Sequence, residues 1–441
     1  MPQIEQFVTQ FSGLLWGIPL IAALFGTHIF MTIRLKGIQK YIFKAIKLSV
    51  TKEKGSSGDV SPFAALMTAL AATLGTGNIV GIATAVAAGG PGAVFWMWIS
   101  GIFGMATKYA ESLLAVKYRV KMPDGSMAGG PMYVMEHGLH MKWLGVIFSL
   151  FTAVAALGVG AMVQSNSIST MFVKAFNIPV WVTGAIVAVL VGIVIIGGIK
   201  SIARVCNILI PVMGLIFIVG NIIIIFIGYK TIPQTLSLIF TSAFSGQAAI
   251  GGFVGVGAKE ALRYGIARGL FSNEAGLGSE PIVAAAAQTK SCVRQALVSY
   301  TGTFWDTVVL GLITGVMIVN SGLWIKGLNA SNLTSEVFGT LPFAGPILLA
   351  VALFAFAFAT CIGWSYYAQK AVEYVFGTRA VKAYMVIYML LIFIGAIFSV
   401  EAVWGFSDIA NAMMAIPNLA CVLVMSDVVV AETRKQLWRG K

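Results

Sequence analysis

Hydrophobic positions in this chain fall in long runs, not in the one-sided stripes of a helix that faces water. Apolar helical stretches occupy about 12–34, 61–88, 92–118, 143–173, 180–199, 203–228, 242–266, 294–320, 344–375, 382–399 and 402–426. Each is near the roughly 20 residues that an α-helix needs to cross a hydrocarbon layer about 30 Å thick. The pattern predicts an all-α polytopic membrane protein with 11 spans. Two stretches between runs do not span. One is 123–142, with the turn Ala128-Gly129-Gly130-Pro131, and the other is 267–291, with Phe271-Ser272-Asn273-Glu274-Ala275-Gly276-Leu277-Gly278. Both read as short interfacial helices joined by glycine turns, or as pieces that brace or gate the inner mouth.

Setting the first run aside leaves ten spans that divide at the loop 229–241. The expected plan is an additional helix at 12–34, a five-helix repeat at 61–228, a second at 242–426 and a tail at 427–441. Five is odd, so the second set runs opposite to the first. In such inverted repeats the first helix of each set is interrupted and the binding site lies between them. That predicts breaks near the centres of 61–88 and 242–266. Leu74-Gly75-Thr76-Gly77-Asn78 occupies the first, and Gly246, Gly251, Gly252, Gly255 and Gly257 crowd the second. Each glycine weakens a helix by about 1 kcal/mol relative to alanine. Close helix packing is the competing account, because Gly251 and Gly255 have the spacing of a packing motif.

Composition strengthens the membrane reading. Only 10% of the 441 residues are charged, 58% are hydrophobic and the mean hydropathy is +0.90, against about 25% charged in soluble domains. The net charge of +13 does not indicate nucleic acid, because the basic residues sit in short segments between apolar runs. With the N-terminus outside, Arg34, Lys36, Lys40, Lys44, Lys47, Lys52, Lys54, Lys117, Arg119, Lys121, Lys200, Arg204 and the tail from Arg434 are cytoplasmic. Only Lys174, Lys230 and Lys326 are then left outside, a partition that favours N-outside, C-inside. Cys206, Cys292, Cys361 and Cys421 have neither disulfide nor zinc spacing. Nucleotide-binding and hydrolase motifs are missing, so neither an enzyme nor an organic cofactor is expected.

The break at 74–78 has definite chemistry. Backbone released from a helix inside hydrocarbon is tolerated only where it lines a cavity or binds something. Carbonyls of Ala71, Ala72, Thr73 and Leu74 would suit a dehydrated cation. Free amides starting near Thr76 would suit a carboxylate. In 344–375, Ala357, Thr360, Cys361 and Trp364 share one helical face. Thr360 with the Ala357 carbonyl is expected to complete a cation site, and Trp364 with Gln164 of 143–173 to wall a substrate pocket. The plainer alternative is that Thr360 bonds its own backbone and Trp364 only packs. Lys108 and Glu111, i and i+3 on one helix, are expected to pair with each other. Asp306, deeper in its span, is read as stabilising a cation, carrying a proton or bonding a neighbouring helix.

Several stretches resemble the alanine or glycine:cation symporter family: Gly89 to Trp98 (GGPGAVFWMW), Ala71 to Gly81 (AATLGTGNIVG), Ala128 to Tyr133 (AGGPMY) and Gly265 to Pro281 (GIARGLFSNEAGLGSEP). The similarity runs through essentially the whole chain. It implies a LeuT-type 5+5 inverted repeat plus one N-terminal helix, and Na+-coupled uptake of alanine or glycine across the cell inner membrane, with proton coupling as the alternative. A single chain is expected to function as a monomer. The implied substrate contacts are Thr73, Gly75, Thr76, Gly77, Gln164 and Trp364, with Gln247, Ile250, Gly251 and Phe253 from the seventh span. The implied Na+ ligands are Ala71, Leu74, Ala357, Thr360 and Cys361.

Overall fold

The computed structural model describes residues 15–51, 53, 56–245, 257–341, 343–398 and 400–438. The described chain is almost wholly helical, with one two-stranded hairpin, Val120–Lys121 with Met127–Ala128. Among the described residues, six helices have the length and apolarity to cross a membrane: Lys142–Phe176 (α7), Gly198–Ile227 (α9), Cys292–Asn320 (α13), Ala344–Phe376 (α15), Thr378–Gly395 (α16) and Gly405–Val424, within Val400–Val424 (α17). Two bent pairs meet the test jointly. Ile18–Arg34 (α1) and Ile38–Ser49, which contains Ile42–Ser49 (α2), meet at 66°, and Pro62–Thr73 (α3) and Gly77–Gly89 (α4) meet at 53°. Val180–Ile196 (α8) is apolar but shorter, and Ala330–Gly339 (α14) has 10 residues. Gly92–Lys117 (α5) has 26 residues, about 39 Å at 1.5 Å per residue, and is buried along most of its length.

Apolar and polar surfaces are distributed the opposite way from a water-soluble fold. Ile196, Phe43, Ile33 and Ile208 are at least 67% exposed, whereas Lys108, Glu111, Asp306 and Glu280 are at most 3% exposed. Hydrocarbon around the bundle accounts for the first set, and only partners inside the bundle can stabilise the second.

The loop expected at 229–241 is mostly helix: a short turn at Tyr229–Thr231 leads into Ile232–Phe244 (α10). Ala258–Asn273 (α11) follows. Ser242 packs on Gly92, and Ala243 O accepts the Trp96 indole N–H at 3.0 Å. Gly265 packs on Ala93 and Trp96. Both helices therefore meet the first turns of α5. The stretch 267–291, expected as short interfacial helices joined by glycine turns or as a brace or gate of the inner mouth, runs through the interior: α11 ends beside the middle of α5, and 274–280 continue past it to Pro281–Ala284 (α12). Glycine density does not report depth along a bundle, which neighbouring helices set. Pro131–His137 (α6) and the hairpin close the same end as the last turns of α5.

At that end the segments flanking both interrupted helices are fastened together. Val60 forms a parallel bridge with Ala287. Arg119 donates to Ala285 O (2.9 Å), Ala287 O (2.7 Å), Thr289 O (3.0 Å) and Ser57 O (3.1 Å). A guanidinium fork can reach several carbonyls that a point-charge ammonium cannot. Arg119→Ala is expected to lower stability in detergent by about 3 kcal/mol, because it strands buried carbonyls. Chemical denaturation midpoints test this, and an unchanged midpoint refutes the clamp.

Candidate functional site

The site begins where α3 stops. Leu74 caps α3 with φ −72° and ψ 86°, out of helical geometry. Gly75 and Thr76 follow, and the chain re-enters helix at Gly77 in a π-helical turn, Gly77–Gly81. Two other helices carry π-helical turns, Ala156–Met162 in α7 and Phe304–Gly311 in α13. Such turns release backbone groups from regular pairing and recur at functional sites. The last carbonyls of α3 and the first amides of α4 have no partner within their own helices, so they depend on what packs around them.

Thr360, at the middle of α15, supplies that packing. Its Oγ1 lies 3.0 Å from Ala71 O, 3.5 Å from Leu74 O and 3.0 Å from Phe356 O. A hydroxyl has one proton, so it satisfies one of the three, and the other carbonyls are left facing an oxygen. Such a convergence of oxygens suits a hard cation. Gly75 permits it: a Cβ there would stand 2.6 Å from Thr360 Oγ1 and 3.4 Å from Gln164 Oε1. Close by, Gly363 lets α15 lie against Ala72, where a Cβ would be 2.9 Å from the Ala72 nitrogen. Thr76 Oγ1 and Gln164 Oε1 are buried without a hydrogen-bond partner among the described residues, while Gln164 Nε2 donates to Val159 O at 3.0 Å.

A second break faces the first. Gly77 packs on Ser272, and α11 ends one residue later at Asn273. Glu274 has φ 54°, and Gly276 and Gly278 have φ 90° and 80°, a left-handed backbone that glycine adopts freely and glutamate does not. Trp364 Nε1 donates to Glu274 Oε1 at 3.0 Å, and Ser279 Oγ is hydrogen-bonded to Glu274 Oε2. Asp306 closes the far side. It accepts from Asn78 Nδ2 (2.9 Å), Ser272 Oγ (3.0 Å) and Thr307 Oγ1 (2.6 Å), and so joins α4, α11 and α13.

The tertiary structure thus brings Ala71, Leu74, Gly75, Thr360 and Gln164 together, with Gly77 on the α11 side and Trp364 turned to the second break. Thr73 and Cys361 have partners of their own, and one expected pairing is corrected. Thr73 Oγ1 turns back on its own helix, 3.4 Å from both Ala69 O and Leu70 O, because a threonine in a final turn can bond the carbonyls behind it. Cys361 O accepts the Tyr388 hydroxyl at 2.7 Å, Thr360 reaches the carbonyl of Phe356 on its own helix, and Ala357 is buried beside it. Lys108 pairs with Glu280 at 2.9 Å, not with Glu111, which accepts from Asn418 Nδ2 at 2.5 Å. The intrahelical spacing allowed the first pairing, but the segment after the second break lies closer. Gln247, Ile250, Gly251 and Phe253 lie outside the described residues. In the described structure the wall opposite the first break comes from 271–280. Its signal was present in the sequence as an acidic, glycine-punctuated stretch with no place in a surface loop.

Residues 1–440 match the sodium:alanine symporter family. The chain belongs to that family. A sodium/alanine symporter of Methanococcus maripaludis, AgcS, is 45% identical over 97% of this chain and 96% of its own length. A probable sodium/glutamine symporter of Bacillus subtilis, GlnT, is 36% identical over 97% of this chain and 89% of its own. Among solved structures, MhsT in complex with L-phenylalanine superposes with a TM-score of 0.62 at 15% identity, over 87% of this chain and 95% of MhsT, which gives this member of the family a LeuT-type fold. The protein is therefore a multi-pass membrane transporter and not an enzyme, in a family of cation-coupled amino-acid symporters.

Gly75→Ala is expected to lower cation-coupled uptake at least about tenfold, equivalent to ~1.4 kcal/mol. Gly81→Ala, with the nearest atom 4.0 Å from its new Cβ, should leave it unchanged. Uptake rates in reconstituted vesicles separate the two outcomes, and equal rates would show that the close approach at Gly75 has no part in transport.

Proposed function

We propose that the protein is a Na+-coupled symporter that imports small neutral amino acids, alanine first and glycine with it, by alternating access. The observation that carries this reading is the oxygen cluster of Thr360 Oγ1, Ala71 O and Leu74 O at a backbone break that also frees helix amides. One interruption then offers carbonyls to Na+ and amide groups to a carboxylate. Gln164, whose Oε1 has no partner among the described residues, borders this break beside Gly75, and Trp364 lines the second break that faces it. A single methyl discriminates by only about 1–3 kcal/mol, so glycine and alanine should compete.

Eleven crossings, one N-terminal and two inverted sets of five, fit the two facing breaks, with the second set entering through α10 and α11. The functional unit is one chain, since both breaks lie within it. The end closed by Arg119 is assigned to the cytoplasm and the N-terminus to the outside. Lys259 and Arg263, at the end of α11 that packs near Gly89, join Lys174, Lys230 and Lys326 on the outer side, and the basic excess remains at the Arg119 end. Proton-coupled symport is the second reading, favoured by buried Asp306, which makes no ion pair among the described residues.

Labelled alanine should accumulate in proteoliposomes when a Na+ gradient is imposed. Thr360→Ala should demand several-fold more Na+ for the same rate while leaving the protein folded. Accumulation that ignores Na+ and follows a pH gradient would select the second reading. Unaltered Na+ dependence in the variant would remove Thr360 from the ion site.

A further inference from the structure

We propose that Glu274 is a proton-binding site, distinct from the Thr360 oxygens, that holds its proton while Trp364 is locked against it. Between the two breaks and the Arg119 clamp the described interior residues include three carboxyl groups, Glu111, Glu274 and Glu280, and one ammonium, Lys108, each at most 3% exposed. Three negative charges against one positive leave two uncompensated. Each buried ion without a counter-charge costs several kcal/mol, so the cluster binds protons or other cations.

The hydrogen-bond partners decide which oxygen takes a proton. Glu280 Oε2 faces the Lys108 ammonium at 2.9 Å, and Glu111 Oε1 faces the Asn418 amide nitrogen at 2.5 Å; both partners only donate. Glu274 Oε1 faces the Trp364 indole N–H at 3.0 Å, again a pure donor. Glu274 Oε2 differs, because it meets the Ser279 hydroxyl, which accepts as readily as it donates. A proton there finds an acceptor. On Glu111 Oε2 or Glu280 Oε1, which have no partner among the described residues, it would find none and the O–H would be stranded. Glu274 is thus the carboxyl whose neutral form keeps every bond satisfied. Its backbone supports the assignment: φ 54° on a non-glycine residue costs roughly 1–2 kcal/mol, a cost that side-chain anchoring offsets.

The charged and titratable groups that face it are Lys108 on α5, Glu280 on its own segment and Tyr367 on α15, and Glu111 faces Lys108 and Glu280. His28 of α1 lies beside Gly276 and pairs with Thr107 at 2.7 Å. When 274–280 separates from α15, water reaches Oε2 from the Arg119 side. The O–H bond then breaks, its electron pair stays on the carboxylate, and the proton leaves with water. The carboxylate is drawn to Lys108, and Trp364 is released. The place of this event in a transport cycle rests on the cation-coupled reading above; the proton site itself does not.

Infrared difference spectra of the purified full chain at neutral pH test the site without transport. Wild type minus Glu274→Gln should reveal the carbonyl stretch of a protonated carboxylic acid, and that band should vanish from wild type as pH is raised. Trp364→Phe, which removes the donor to Oε1, should move the same band, which keeps the test open if the Gln variant does not fold. Loss of an ionised-carboxylate band in Glu274→Gln, or an acid band untouched by Trp364→Phe, would overturn the proposal. In proteoliposomes the pH profile of uptake, normalised to each protein's maximum, should flatten in Glu274→Gln, and a wild-type profile would also overturn it. If alanine uptake is absent while the acid band behaves as expected, the transport reading fails and the proton site stands.

Discussion

Everything at the centre of this protein depends on one constraint: backbone freed from a helix inside hydrocarbon must find its partners within the protein. The chain between Leu74 and Thr76 meets that constraint with α15. Thr360 reaches the carbonyls of Ala71 and Leu74, and the missing side chains of Gly75 and Gly363 let the two helices approach closely enough for it to do so. Only part of that demand is met by one hydroxyl. The remainder is the capacity to bind, so incomplete satisfaction at this point is what gives the fold a site.

A second consequence concerns charge. Exposed Ile, Phe, Leu and Val cover much of the bundle surface, and a group of acids and one base lies buried within. Among the described residues Lys108 is the ammonium beside Glu111, Glu274 and Glu280, and its 2.9 Å contact goes to Glu280, the residue that leads from the second break to the segment held by Arg119. Asp306 is instead surrounded by an amide and two hydroxyls. The 271–280 segment thus touches both acidic regions, through Ser272 at Asp306 and through Glu280 at Lys108, with different means of compensation. It also holds Trp364 through Glu274, so movement of the segment alters both ionic environments and the packing of α15 together.

Much of this was legible in the sequence. Long apolar runs and few charges dictate a helical membrane protein, because only internally hydrogen-bonded segments are stable in lipid. The LGTGN stretch marks the first break, because glycines weaken a helix and Gly75 stands where a Cβ would press on Thr360, and family motifs point to amino-acid symport. Periodicity also placed Thr360 and Trp364 on one face of one helix. What the sequence by itself could not decide was depth and partnership. Glycines at 246–257 and at 276–278 look alike in one dimension, yet the described break that faces Gly77 is the second of these. Lys108 and Glu111 are neighbours along α5, yet Lys108 reaches Glu280. Those choices were made only by the tertiary structure, because a buried charge or a freed carbonyl bonds whatever group the packing of distant helices brings within about 3 Å.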